Sequence, residues 1–132
     1  MTFETKQLGN QGEEMAIKYL KNKGYKILDR NFRYKGYGEL DIVAKKEEDI
    51  VFVEVKTRLG ANNDSPYNPE DNITYFKQKQ LIKLAKIYLA KNPATAGMDL
   101  PWQIDIIAIE IPHYGTKKVN LRHIEKAIED LY

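Results

Sequence analysis

The chain has 132 residues, 42% of them apolar, a formal net charge of +2 and no cysteine. That length suits one domain around one hydrophobic core, and the missing cysteine excludes disulfides, thiolate zinc sites and cysteine nucleophiles. No apolar run approaches the roughly 20 residues that span a bilayer, and Met1 to Lys6 lack the apolar stretch of a secretory signal, so the expectation is a soluble, cytoplasmic protein with no membrane partner.

The first segment, about Thr5 to Lys23, reads as a helix. Ala16, Ile17 and Leu20 recur at helical spacing, and Gly24 is placed to stop it. Lys26 to Arg33 reads as a strand, Lys35-Gly36-Tyr37-Gly38 as a turn, and Gly38 to Ala44 as a second strand. Lys45 to Asp49 forms a charged hairpin loop before a third strand, Val51 to Arg58. Short connections between these three predict an antiparallel meander. Leu59 to Asp71 is polar, turn-rich and nearly free of core residues, the pattern of a surface loop. A long helix follows, roughly Ile73 to Lys91, with Leu81, Leu84, Ala85, Tyr88 and Leu89 as its apolar stripe. Trp102 to Ile111 is a fourth, strongly apolar strand, and Asn120 to Tyr132 holds a short strand or loop and a final helix. The order is α-β-β-β-α-β-α. A helix between the third and fourth strands implies a parallel crossover, hence a mixed central sheet flanked by helices.

The third strand poses a chemical question. Phe52, Glu54 and Lys56 point to one face of it, yet charges are rarely buried unless paired or bound to a metal. Pairing of the second and third strands through the Lys45–Asp49 loop brings Asp41 near Glu54. Two carboxylates with a lysine beside them suit a hard cation such as Mg²⁺ or Mn²⁺. An ion there polarises a phosphodiester and generates hydroxide, while Lys56 orients the attacking water or offsets charge on the phosphate. The bland alternative is a solvated strand face with a surface ion pair of little worth.

Asp41, then Glu54-Val55-Lys56 after twelve residues, resembles the PD-(D/E)xK nuclease signature. Gly12-Glu13-Glu14-Met15-Ala16, Asn31-Phe32-Arg33, Gly38 to Ala44 and Val51 to Arg58 follow in order. With the helix of Lys77, Ile104-Asp105-Ile106-Ile107 and His123-Ile124, they resemble the YraN-like family of small bacterial proteins over nearly the whole chain. That resemblance implies a restriction endonuclease-like α-β-β-β-α-β core, an α/β fold related to Holliday junction resolvases. It also implies a metal-dependent nuclease site at Asp41, Glu54 and Lys56, and supplies no substrate.

Such nucleases often add a carboxylate from the first helix. Glu13 shares a face with Ala16, Ile17 and Leu20 and is preferred over Glu14, which aligns with Lys18 and Lys21. If the helix instead begins at Asn10, Glu13 only closes a capping box. Lys77 heads the apolar stripe of its helix and either reaches the site edge to meet phosphate or snorkels to solvent. Glu39 faces the same way as Asp41 and is either a further ligand or, the preferred reading, a strand-edge charge; Asp105 and His123 read as structural residues. Arg33 and Arg58, close in sequence to the site, are candidate phosphate contacts. Lys79, Lys83 and Lys86 line one helix face, which on an amphipathic helix is usually just the solvated side. Tyr67 in the long loop is a candidate for stacking on an unpaired base.

Other chemistries lack their parts. Ser65 is the sole serine and sits outside any nucleophile elbow. His113 and His123 have no metal-ligand spacing, and no GxxxxGK[ST] loop exists. The expectation is a Mg²⁺- or Mn²⁺-dependent endonuclease acting on DNA, of branched or damaged structure, with a homodimer possible. The alternative is a non-catalytic nucleic-acid-binding module with a nuclease-like fold.

Overall fold

A computed structural model describes residues 3–59, 73–112 and 119–130. Helix α1 (Phe3–Asn22) leads into strands β1 (Lys26–Arg33), β2 (Glu39–Lys46) and β3 (Asp49–Leu59). Helix α2 (Tyr75–Lys91) crosses over to β4 (Trp102–Ile111), and β5 (Asn120–Ile128) closes the sheet. The five strands lie side by side in chain order. β3 and β4 run parallel, and every other neighbouring pair is antiparallel. This is a mixed-sheet α/β fold with the α-β-β-β-α-β core expected from the strand and helix order.

Each helix covers one face. Ala16, Ile17 and Leu20 of α1 pack on Ile42, Ala44, Val51, Val53 and Ile107. Leu81, Leu84, Ala85 and Tyr88 of α2 pack on Val43, Phe52, Ile104 and Ile106. β3 and β4 are therefore buried on both sides, which is why they read as continuous apolar runs and not as alternating ones. On β3, Val51 and Val53 face α1, while Ile50 and Phe52 start the opposite row that continues to Glu54 and Lys56.

α1 ends where Gly24 adopts φ 93°, with the Tyr25 N–H bonded to the Leu20 carbonyl and the Gly24 N–H to that of Lys21. Asn10 lies well inside α1, so the capping-box role considered for Glu13 does not apply at a helix start. Further along, Gly12 has a distinct duty. A Cβ there would sit 1.8 Å from Thr57 Oγ1, so only glycine lets α1 approach β3 at this point.

The final helix expected after Asn120 is absent among the described residues; β5 occupies that stretch. Ile124, Ala127 and Ile128 do recur at helical spacing, but pairing with β4 prevails. The register slips between Ile104 and Ile106, and Lys126 takes φ 52° to form the bulge. Asp105, fully buried, holds it. Its carboxylate accepts from the Lys126 N–H at 2.9 Å and the Gln103 amide at 2.8 Å, and meets His123 Nε2 at 2.7 Å. Tyr19 O–H reaches the other ring nitrogen of His123 at 3.0 Å. Asp105 and His123 are thus structural partners.

Candidate active site

The hairpin between β2 and β3 turns at Glu47 and Glu48, and its ladder runs back to Ile42 opposite Val53. Asp41 and Glu54 are the next pair out, each six residues from the turn. Here the ladder opens. The Val55 N–H is bonded by the Asp41 carboxylate at 2.8 Å. That side chain substitutes for a strand partner, and the gap between β2 and β3 becomes the floor of a cavity.

The cavity has a volume of about 1030 Å³ and is lined by Glu13, Asn31, Glu39, Asp41, Glu54, Lys56 and Lys77 among others. Both helices contribute. Close approach at Gly12 brings Glu13 over the open ladder from one side. Lys77, in the first turn of α2, enters from the other. A cation at a helix N-terminus opposes the helix dipole, and the first turn of α2 carries no acid. Lys77 instead faces the Glu54 carboxyl, whose Oε1 lies 3.8 Å from Lys77 Nζ and 3.8 Å from Lys56 Nζ.

Acids outnumber what these lysines can balance. One carboxylate oxygen each from Glu13, Glu39 and Asp41 all lie within 4.8 Å of one another. Glu54 is only 6% exposed, and its Oε2 is buried without a hydrogen-bond partner. Burial pushes the Glu54 carboxyl up to about 8; the neighbouring Asp41 charge adds to this, while Lys77 and Lys56 oppose it. Burial also raises Asp41, against the stabilising bond from Val55 N–H. Glu13 is raised by burial and then by Asp41 and Glu39. Crowded, partly desolvated carboxyls with an orphaned oxygen form an all-oxygen anionic donor set, the kind a hard divalent cation takes. The residues present fit such an ion.

Asp41, Glu54, Lys56, Glu13 and Lys77 meet at this cavity. Glu14 does not: it points outward and pairs with Arg30 at 2.8 Å. Arg33 reaches the rim but is tied to Glu39, its cross-strand neighbour, at 2.7 Å. Arg58 lies further along β3, opposite Glu110 of β4, and does not line the cavity. Tyr67 and its loop lie outside the described residues. Two residues take larger parts in the site than the preferred sequence reading gave them. Glu39, read as a strand-edge charge, joins the acidic cluster. Asn31, at φ 54°, turns its side-chain amide toward the acids; with the amide assigned so that its nitrogen faces them, it donates to Glu39 Oε1 at 2.6 Å and to the oxygens of Glu13 at 3.3 Å. Asn31-Phe32-Arg33 was visible as a motif, but the left-handed turn that redirects Asn31 was not.

Fold and cavity together define an α/β protein with an acidic, lysine-flanked cleft at the open end of a β-hairpin. The chain belongs to the uncharacterised protein family UPF0102, whose model matches residues 12–109. A UPF0102 protein of Geotalea uraniireducens is 41% identical over 129 residues, covering 98% of this chain and 94% of the relative. One from Geobacter metallireducens is 40% identical over 132 residues, covering all of both. Among solved structures, Pyrococcus furiosus SfsA in complex with Ca²⁺ aligns with a TM-score of 0.41 and 19% identity, over 96% of this chain and 65% of that one. No helix among the described residues is long and apolar enough to cross a membrane.

Proposed function

We propose that the protein is a divalent-metal-dependent endonuclease hydrolysing DNA phosphodiesters, with branched or damaged DNA as its substrate class. One observation carries the reading. Asp41 and Glu54 face each other across an opened ladder, with Lys56 and Lys77 on the same carboxyl, in a cavity where burial strongly disfavours Glu54 ionisation. A purely structural ion pair needs neither the third and fourth acids nor the unpartnered oxygen. The ordered motifs resemble the YraN-like family and bear on the nuclease class alone; the four DNA forms in the test below decide the substrate.

In this reading Asp41, Glu13 and Glu54 hold the ion, with Glu39 beside them. Mg²⁺ or Mn²⁺, when bound, supplies positive charge that polarises the phosphodiester and acidifies water. Lys56 holds the attacking water and offsets charge gathering on the non-bridging oxygens. Lys77 contributes a second positive charge from the opposite wall. Water oxygen adds to phosphorus, one P–O ester bond breaks, and the products are an alcohol and a phosphate monoester. Asn31 keeps Glu39 and Glu13 oriented.

The test compares wild type with Glu54→Gln on linear, nicked, flapped and four-way DNA, each with Mg²⁺, Mn²⁺ or EDTA. Metal-dependent cutting by wild type that disappears in the variant is the expected result. Binding without cutting under every condition would favour the non-catalytic module instead.

A further inference from the structure

α2 carries five lysines, Lys77, Lys79, Lys83, Lys86 and Lys91, and no acidic residue. Solvated helix faces ordinarily mix both signs, because opposite charges at i, i+4 support the helix and like charges weaken it. The β1–β2 hairpin continues this surface. It touches α2 at Gly38, where a Cβ would sit 2.9 Å from the Gln80 side chain. Its own residues, Tyr34-Lys35-Gly36-Tyr37, include no acid.

The rings of this hairpin hold the lysines in place. Lys83 Nζ lies 3.8 Å from the centre of the Tyr37 ring, and Tyr37 stacks on Tyr34 at 6.3 Å with the planes 13° apart. Lys35 and Lys91 sit 5.4 Å and 5.3 Å from the centre of the Tyr34 ring. Among the described residues, the rings thus hold the ammonium groups without neutralising them, since a ring attracts a cation without carrying opposite charge. Lys86 differs, being paired with Asp130 at 2.7 Å.

The geometry points to this surface, formed by Lys35, Lys83 and Lys91 over Tyr34 and Tyr37, as a docking track for the phosphate backbone of a DNA duplex arm flanking the cavity. It rests on the nuclease reading above and extends it to the substrate's flank. Three features select a duplex backbone. Charge on α2 itself is of one sign, and Asp130, the acid of the adjoining groove, is paired with Lys86. The ring faces of Tyr34 and Tyr37 are taken by lysines and by each other, which leaves little for an unpaired base to stack on. And Lys77, in the first turn of α2, lines the cavity, from where the helix runs about 21 Å to Lys91 at 1.5 Å per residue, matching about six base-pair steps of duplex at 3.4 Å each.

The test measures binding of a labelled duplex of about 30 base pairs in EDTA, from about 50 to about 200 mM salt, so that cutting plays no part. Each lost phosphate contact flattens the slope of log affinity against log salt by about 0.9. The triple variant K35Q/K83Q/K91Q is expected to bind more weakly with a slope shallower by about 2 to 3. K35R/K83R/K91R should keep the wild-type slope. K18Q/K21Q/K23Q, which removes the same charge from the end of α1, should also keep it. Equal losses in both glutamine variants, an unchanged slope in the first, no duplex binding by wild type, or a loss confined to single strands would each overturn the proposal. A wild type that binds through this track yet never cuts would sink the nuclease reading and leave the track standing.

Discussion

Removing the charge of Glu54 should make the metal-free protein more stable at alkaline pH. In the unfolded chain this carboxyl ionises near 4.5; in the fold, burial and the Asp41 charge raise it to about 8. A raised acid pKa contributes stability that is complete below the unfolded value and is lost as pH climbs to the folded one. At about 1.4 kcal/mol per pH unit, the penalty reaches on the order of 5 kcal/mol once Glu54 is forced to ionise. Glu54→Gln keeps the shape and removes the charge. Urea unfolding in EDTA should show the two proteins within about 1 kcal/mol of each other near pH 5, and the variant ahead by several kcal/mol near pH 9. Glu13 titrates in both proteins, and because Asp41 and Glu54 interact, the difference between the curves reports that pair. Parallel curves from acid to alkaline pH would refute the reasoning, because they would mean Glu54 ionises as readily in the fold as outside it.

Lys77→Met should push Glu54 ionisation higher still, since Lys77 opposes the shift; carboxyl-carbon NMR titration reads this directly, and an unmoved midpoint would disprove the coupling. Gly12→Ala gains about 1 kcal/mol of helix propensity yet forces a contact 1.8 Å from Thr57 Oγ1. The clash should win, with a net loss of about 1–2 kcal/mol in thermal or urea unfolding that Thr57→Ala partly restores; a stabilised G12A would show that α1 shifts freely. Asp105→Ala strands the Lys126 N–H, the Gln103 amide and His123, so a loss on the order of 3 kcal/mol is expected. Amide exchange should rise in β5 first, and uniform exchange across the sheet would contradict the anchoring role.

Much of this arrangement was written in local pattern. The apolar runs at Val51–Val55 and Ile104–Ile111 announce strands covered on both sides, and the stripe from Leu81 to Tyr88 announces α2. The spacing of Asp41 and Glu54 is a property of a tight hairpin: once Glu47 and Glu48 turn, residues equally distant from them must face one another. For Glu39 the sequence left a choice between ligand and strand-edge charge, because strand alternation is broken beside it. Leu40 packs in the α2-side core although Ile42 faces α1, and Asn31 across the ladder is left-handed. No single-residue propensity announces such a twist. β5 escaped for a different reason. Its apolar residues fit a helical period, and only the buried carboxylate of Asp105, on another strand, decides for the bulge. Gly12 stood in a motif, but its purpose depends on Thr57, forty-five positions away in the sequence.

The most direct measurement of the central claim is a Mn²⁺ titration followed by electron paramagnetic resonance, with released protons counted in weakly buffered solution near pH 7. Because burial holds the Glu54 carboxyl up to about 8 in the metal-free protein, seating the ion must expel about one proton, and affinity must rise with pH up to about 8. The account predicts tight Mn²⁺ binding with that proton release, weakened strongly in Asp41→Asn and without the proton in Glu54→Gln. Binding of equal strength in wild type and Asp41→Asn, or none in wild type, would contradict it.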